Sequence, residues 1–225
     1  HPRCVLRELF QKMTSFTGPG TALQEILYGF IMALIFVYGV RFGVLEFKDA
    51  ASFSLAVIGM CVTWGIIDGI IFYYIWVLDS RRQTKLIANE YKLDRETRIN
   101  MLMDDFAGTP MDVITDEDKR AICDYMLDKK VQSEEEHNED RKAMFLNSVG
   151  CAFFGSIPVI PILLPLLFFD DYLKALEISC YISSALLFLL GYKMARYLGT
   201  NRLVTGLVLA GISLGISIIS VFTGG

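Results

Sequence analysis

Five long apolar stretches constrain this chain more than any other feature. They run over roughly 22–40, 53–78, 145–168, 172–195 and 203–222. A hydrocarbon core ~30 Å thick is crossed by ~20 apolar residues in a helix, and each stretch meets that length. Transmembrane strands would read as alternating segments of ~10 residues, and no such alternation is present. A hydrophobic content of 53% and a mean hydropathy of +0.45 exclude an ordinary soluble domain. The predicted class is all-α: a polytopic membrane protein with five transmembrane helices and a cytosolic helical insert between the second and third. No cleavable signal segment is apparent.

The boundaries follow from where polarity changes. Residues 1–21 place Val5, Leu6, Leu9, Phe10 and Met13 on one helical face, with Arg3, Arg7 and Lys12 elsewhere. This fits either a short helix at the membrane surface or an extension of the first span. Transmembrane helices 1–2 occupy 22–78, the charged insert 79–144, and helices 3–5 occupy 145–225. The insert carries a loose helical stripe (Leu86, Ile87, Leu93, Ile99, Leu102, Met103) that Gly108-Thr109-Pro110 interrupts. A second insert helix is predicted to start near Thr115, where Thr115-x-x-Asp118 resembles a capping box. The polar tract 133–142 is expected to run, still helical, into the third span. Basic residues set the orientation. Arg3, Arg7, Lys12, Arg81, Arg82, Lys85, Arg141, Lys142, Lys193, Arg196 and Arg202 fall on one side of a five-span chain. The N-terminus and insert are therefore predicted to be cytosolic, and the C-terminus outside or luminal. The net charge of −4, mostly from the insert, argues against nucleic acid as a partner. Five scattered cysteines without a CxxC give no disulfide framework or zinc site.

Asp68 is the only ionisable carboxylate between Phe53 and Leu78. A charge near the bilayer centre costs at least ~3 kcal/mol on insertion scales and usually serves a task. On a helix Asp68 shares a face with Cys61 and lies close to Trp64, Gly65 and Phe72. A carboxylate with a soft thiol suits Fe²⁺ or Mn²⁺. The alternative is a structural Asp, protonated or hydrogen-bonded to a neighbouring helix. The third span contains Pro158, Pro161 and Pro165. Each proline removes a donor, so the carbonyls of Phe154, Ile157 and Pro161 are expected to be free. Broken helices with free carbonyls are a recurrent cation-site device in transporters, and a packing kink is the bland reading. Asn147, Cys151 and Gly155 form a second stripe on this span.

Glu177 in the fourth span, with Cys180, Tyr181 and Ser184 beside it, is expected to reach water. Gly206 with Ala210 and Gly211 with Gly215 fit close packing of small residues in the fifth span. Met32, mid-way along the first, reads alone as packing. In the insert, Glu90 with Asp94 and Asp124 with Asp128 stand four residues apart. Glu134-x-x-His137 has the spacing of half a di-iron motif. The insert methionines read as soft ligands or as core. No nucleophile–base pair or phosphate loop is present, and an enzyme is not expected.

This layout resembles the vacuolar iron transporter family. Glu25-Ile26-Leu27-Tyr28-Gly29-Phe30 is similar to the entry to that family's first span. The stretch from Gly155 to Pro165 resembles its proline-rich third span, and the tail from Gly206 resembles its glycine-rich last helix. The resemblance implies a homodimer in the lipid bilayer that exports a divalent metal, Fe²⁺ or Mn²⁺, in exchange for protons. It implies no tightly bound cofactor. In the family an Asp in the first span and a Glu and a Met in the second line the pathway, and the insert binds metal through Glu and Met. Here Met32 or a close neighbour stands where that Asp is expected, and the second span offers Asp68 and Cys61 without a Glu. In the insert, Glu90 and Glu96 with the methionines only partly replace a repeated Glu-x-x-Glu pattern.

The expected pathway is therefore Asp68, Cys61, Met60 and Met32, completed by backbone around Pro158 and Pro161. The expected metal ligands are Asp68, Cys61 and Met32, with Glu90, Asp94 and Glu96 in the insert. The rival readings are a non-transporting anchor that dimerises a cytosolic interaction module, and a transporter of another solute.

Overall fold

The computed structural model describes residues 2–129 and 134–223, without the side chains of residues 2–7, 9 and 134. Every regular element among the described residues is helical. Five helical stretches are long and apolar enough to cross a membrane: Pro19–Arg41, Ala50–Ile87, Glu135–Leu167, Tyr172–Leu198 and Arg202–Thr223. These are the five stretches expected from hydropathy. The chain divides into two compact units, one made of 1–70 and 145–225 and the other of 71–144.

In the first unit, α1 (Pro2–Thr17) is a helix of its own rather than an extension of the first span. Gly18, at φ +80°, separates it from α2 (Pro19–Arg41), which starts with proline at a position where no amide donor is needed. The apolar face expected from Val5, Leu6 and Leu9 lies outside the described side chains. Phe10 packs edge-on against Phe154, with ring centroids 5.3 Å apart. The next helix, α3 (Ala50–Ile87), is 38 residues long, more than the ~20 a membrane crossing needs. Asp49 opens it by accepting a 2.7 Å hydrogen bond from the Ser52 amide. That bond holds the Asp49 carboxyl below its usual range.

The third span is not one helix. α6 (Glu134–Ser156) is followed by a short α7 (Val159–Leu163) and a 3₁₀ turn over Leu164–Leu167. The expectation of free carbonyls needs correction at Phe154 and Ile157. The Phe154 carbonyl accepts from the Ile157 amide and the Ile157 carbonyl from the Ile160 amide, both at 3.2 Å. Proline removes the donor four residues on, and the chain tightens so that the amide three residues on replaces it.

The remaining spans are α8 (Tyr172–Leu198) and α9 (Arg202–Thr223). The core of this unit joins Ala33, Leu34 and Val37 of α2 to Leu176 and Leu187 of α8, with Phe53 and Val57 of α3. Polar side chains pin it locally. Ser217 Oγ donates to the Ile31 carbonyl at 3.3 Å, and Ser179 Oγ to the Ile162 carbonyl at 2.7 Å. The glycines of α9 divide in two. A Cβ on Gly206 would lie 2.8 Å from the Phe188 ring, so this position packs inside the chain, whereas Gly211 and Gly215 have nothing within 4 Å.

The second unit takes in part of α3, then α4 (Arg95–Asp104), a 3₁₀ turn over Pro110–Val113, α5 (Asp116–Leu127) and the start of α6. Its small core is Leu86, Ile99, Leu102, Cys123 and Leu127, with Leu93, Met101 and Met103 against it. The stripe read from the sequence, apart from Ile87, therefore faces inward. Thr115 caps α5 by accepting from the Asp118 amide at 3.2 Å, and its hydroxyl also meets the Asp118 carboxylate at 2.7 Å. The expected box is thus closed through side chains. Arg98 is nearly buried and donates to the Leu86 and Ile87 carbonyls at 2.7 and 2.8 Å, satisfying the end of α3. Ser133 and its neighbours at 130–132 lie outside the described residues.

Candidate ion site

Close approach of three helices builds the site. A Cβ on Gly29 of α2 would sit 2.2 Å from the Gly155 carbonyl oxygen of α6. One on Gly65 of α3 would sit 2.7 Å from the Ala152 Cα of the same helix. Small residues let backbones meet without a side chain between them. Ser148 Oγ adds a 2.7 Å hydrogen bond to the Gly69 carbonyl.

Beside this junction lies a cavity of about 600 Å³. Its lining includes Tyr28 and Met32 of α2, Met60, Trp64 and Asp68 of α3, and Ser220 of α9. Three of the residues singled out in the sequence, Met32, Met60 and Asp68, thus share one space. They supply a hard carboxylate and two soft thioethers.

The other sequence candidates fall elsewhere. Cys61 is fully buried and points at the glycine junction, with Sγ 3.7 Å from the Gly29 carbonyl oxygen. Pro158 packs at the same junction, its ring 2.9 Å from where a Gly29 Cβ would be. Pro161 lies within α7, and neither proline lines the cavity.

A buried carboxylate that sequence reasoning did not single out as a site residue is Glu25. Only 1% of it is exposed, and its Oε1 has no hydrogen-bond partner. The Cys151 thiol of α6 is hydrogen-bonded to its carboxyl, and Asp68 acts on it electrostatically. A readable signal existed: Glu25, Gly29 and Met32 form an i, i+4, i+7 stripe, and Cys151 and Gly155 a matching one on α6.

The acidic residues singled out in the insert are engaged by basic or helix-capping partners. Glu90 lies 4.0 Å from Lys85. Asp94 caps α4, accepting from the Thr97 amide at 2.9 Å and from its hydroxyl at 2.6 Å, which holds its carboxyl below the usual range. Glu96 pairs with Arg120, which lowers its proton affinity likewise. Arg95 bridges Asp124 at 2.7 Å and Asp128 at 2.9 Å. His137 stacks on Trp76 with ring centroids 5.7 Å apart, and the Glu134 side chain lies outside the described set. Among the described residues no three of His, Cys, Asp and Glu converge as a metal cage. Glu177 accepts a 3.0 Å hydrogen bond from the Tyr181 hydroxyl.

Five apolar helices and an acid-bearing cavity between them define a polytopic α-helical integral membrane protein. A family model described as the VIT family matches residues 80–225, and the chain belongs to that family. The match takes in the third to fifth spans, while the cavity residues on α2 and α3 precede it. Membership makes membrane transport of a metal ion the coarse activity. No curated protein matches the chain.

Proposed function

We propose that this protein moves a divalent metal cation, Fe²⁺ or Mn²⁺, out of the cytosol in exchange for protons. The observation that carries the reading is the meeting of Asp68, Met32 and Met60 in one cavity of a VIT-family membrane protein. A carboxylate supplies charge, and thioethers favour a transition metal over Ca²⁺ or Mg²⁺. A carrier must release its cargo, so a sparse ligand set suits it better than a closed cage. Cys61 is left out of the ion set because its thiol is turned to Gly29. The insert is proposed to face the cytosol, where its acidic surface raises local cation concentration. There Glu90, Asp94 and Glu96 act through charge. A homodimer is part of the proposal: α3 leaves Ile67, Ile70, Ile71 and Tyr74 exposed. Lipid or a second copy covers such a face.

The test is metal flux in proteoliposomes under an imposed pH gradient, wild type against Asp68→Asn, with Fe²⁺ and Mn²⁺. Flux in wild type that is lost in a folded variant is the expected result. Wild-type protein that folds and carries neither ion refutes the proposal and favours an anchor or another solute.

A further inference from the structure

Glu25 is the most enclosed carboxylate among the described residues. Its carboxyl lies against Gly155 of α6. A Cβ there would lie 3.6 Å from Glu25 Oε2, 3.6 Å from the Gly65 Cα and 3.7 Å from the Cys61 carbonyl oxygen. Backbone from α3 and α6 therefore closes around it. Among the described residues, the titratable groups that act on it are Cys151 from α6 and Asp68 from α3. Neither of these is a cation. The Cys61 thiol is directed at the Gly29 carbonyl.

An ionised carboxylate in such a place has lost its water and has no counter-ion among the described side chains, with one oxygen left unpartnered. A bound proton removes that charge. Asp68 lies toward the cavity and acts on Glu25 as a like charge. We propose that Glu25 is the proton-binding residue of the exchange cycle, at a site separate from the Asp68 cavity that takes the cation. The inference rests on the metal/proton exchange reading above.

The sign of the coupling follows from the charges. With the cavity empty, ionised Asp68 favours the protonated form of Glu25. A cation beside Asp68 cancels that repulsion and makes release of the Glu25 proton easier. By reciprocity, a proton on Glu25 weakens cation binding in the cavity. Cation and proton therefore compete without sharing ligands, which is what exchange requires. The thiol of Cys151 stabilises whichever form of Glu25 is present, by donating to the carboxylate or accepting from the acid.

Two measurements on the full-length chain in vesicles test this. The first is infrared spectroscopy in the absence of metal, which reads protonated carboxyl groups. Wild type is expected to show a protonated carboxyl band at neutral pH that is missing in Glu25→Gln. Cys151→Ser, which keeps the acid, should shift the band without removing it, and it serves where Glu25→Gln fails to fold. The second is Mn²⁺ affinity across the neutral pH range. Wild-type affinity should fall about tenfold toward the acid side, within the usual 5–150-fold range of coupling between sites. Glu25→Gln should hold the acid-side affinity at every pH, and Mn²⁺ should diminish the infrared band of wild type. A band unaltered in both variants overturns the assignment while leaving metal binding intact. A band that responds as expected, with Mn²⁺ that binds but does not alter it, overturns the coupling. Wild type that binds no Mn²⁺, Fe²⁺ or Co²⁺ refutes the metal reading instead, and with it the coupling, whatever the band does.

Discussion

Gly29→Ala tests the helix junction on which the site depends. The new methyl carbon would lie 2.2 Å from the Gly155 carbonyl oxygen, more than an ångström short of the 3.4 Å at which ordinary contact begins. A flexible side chain would swing aside, but this neighbour is backbone, so α2 and α6 must part. Overpacking of this kind costs about 1–3 kcal/mol, occasionally more. Replacing a helical glycine by alanine returns about 0.5–1 kcal/mol through backbone entropy. The net expectation is a loss of roughly 1–2 kcal/mol, a factor of about 5–30 in the unfolding equilibrium. Gly211→Ala is the matched control, because nothing lies within 4 Å of that position. The control should be neutral or slightly stabilising. The assay is reversible denaturation of the two variants and wild type in the same micelles, followed by circular dichroism. A Gly29→Ala protein as stable as Gly211→Ala would refute the argument that α2 and α6 meet backbone to backbone.

Two further outcomes concern the insert. Asp94, Glu96 and Asp124 are all held below their usual range by partners present in the fold. Their stabilising contribution is present above the ordinary carboxylate value of about 4 and is lost as pH falls through the lower folded values. Hydrogen-exchange protection across 94–127, taken relative to the intrinsic rate at each pH, should therefore fall below about pH 4, and Glu96→Gln should weaken that dependence. Arg98→Met keeps most of the buried volume but leaves the Leu86 and Ile87 carbonyls without their donor. It should destabilise the insert core by about 1–3 kcal/mol, read as faster exchange in α4 and α5, and unchanged exchange would refute the capping role.

The spans and the capped start of α5 were legible because their causes are local. Twenty apolar residues cross a membrane whatever else the chain does, and Thr115 can reach the Asp118 amide only across one helical turn. The proline-rich third span was half legible. Prolines at 158, 161 and 165 predict a broken helix, and the break is there. The fate of the Phe154 and Ile157 carbonyls depended on whether the turns there would tighten, and they did. In the insert, Glu90, Asp94 and Glu96 read as candidate ligands, but their partners turned out to be Lys85, Thr97 and Arg120. Arg120 lies on a different helix, and no spacing rule connects it to Glu96.

The candidate site shows the same division. That Asp68 sits in an apolar span is a property of sequence, since the free energy of placing a charge in lipid needs no knowledge of neighbours. That Met32 and Met60 join it, and that Cys61 turns away, depends on how α2 and α3 are rotated against each other. Glu25 is the clearest case. Its place near the start of the first span does not say what encloses it. Gly29, Gly65 and Gly155 bring three backbones so close that its carboxyl is shut in with Cys151. Hydropathy decides which segments enter the membrane, because transfer free energy adds residue by residue. Which side chains then face one another is decided by packing between segments far apart in the chain.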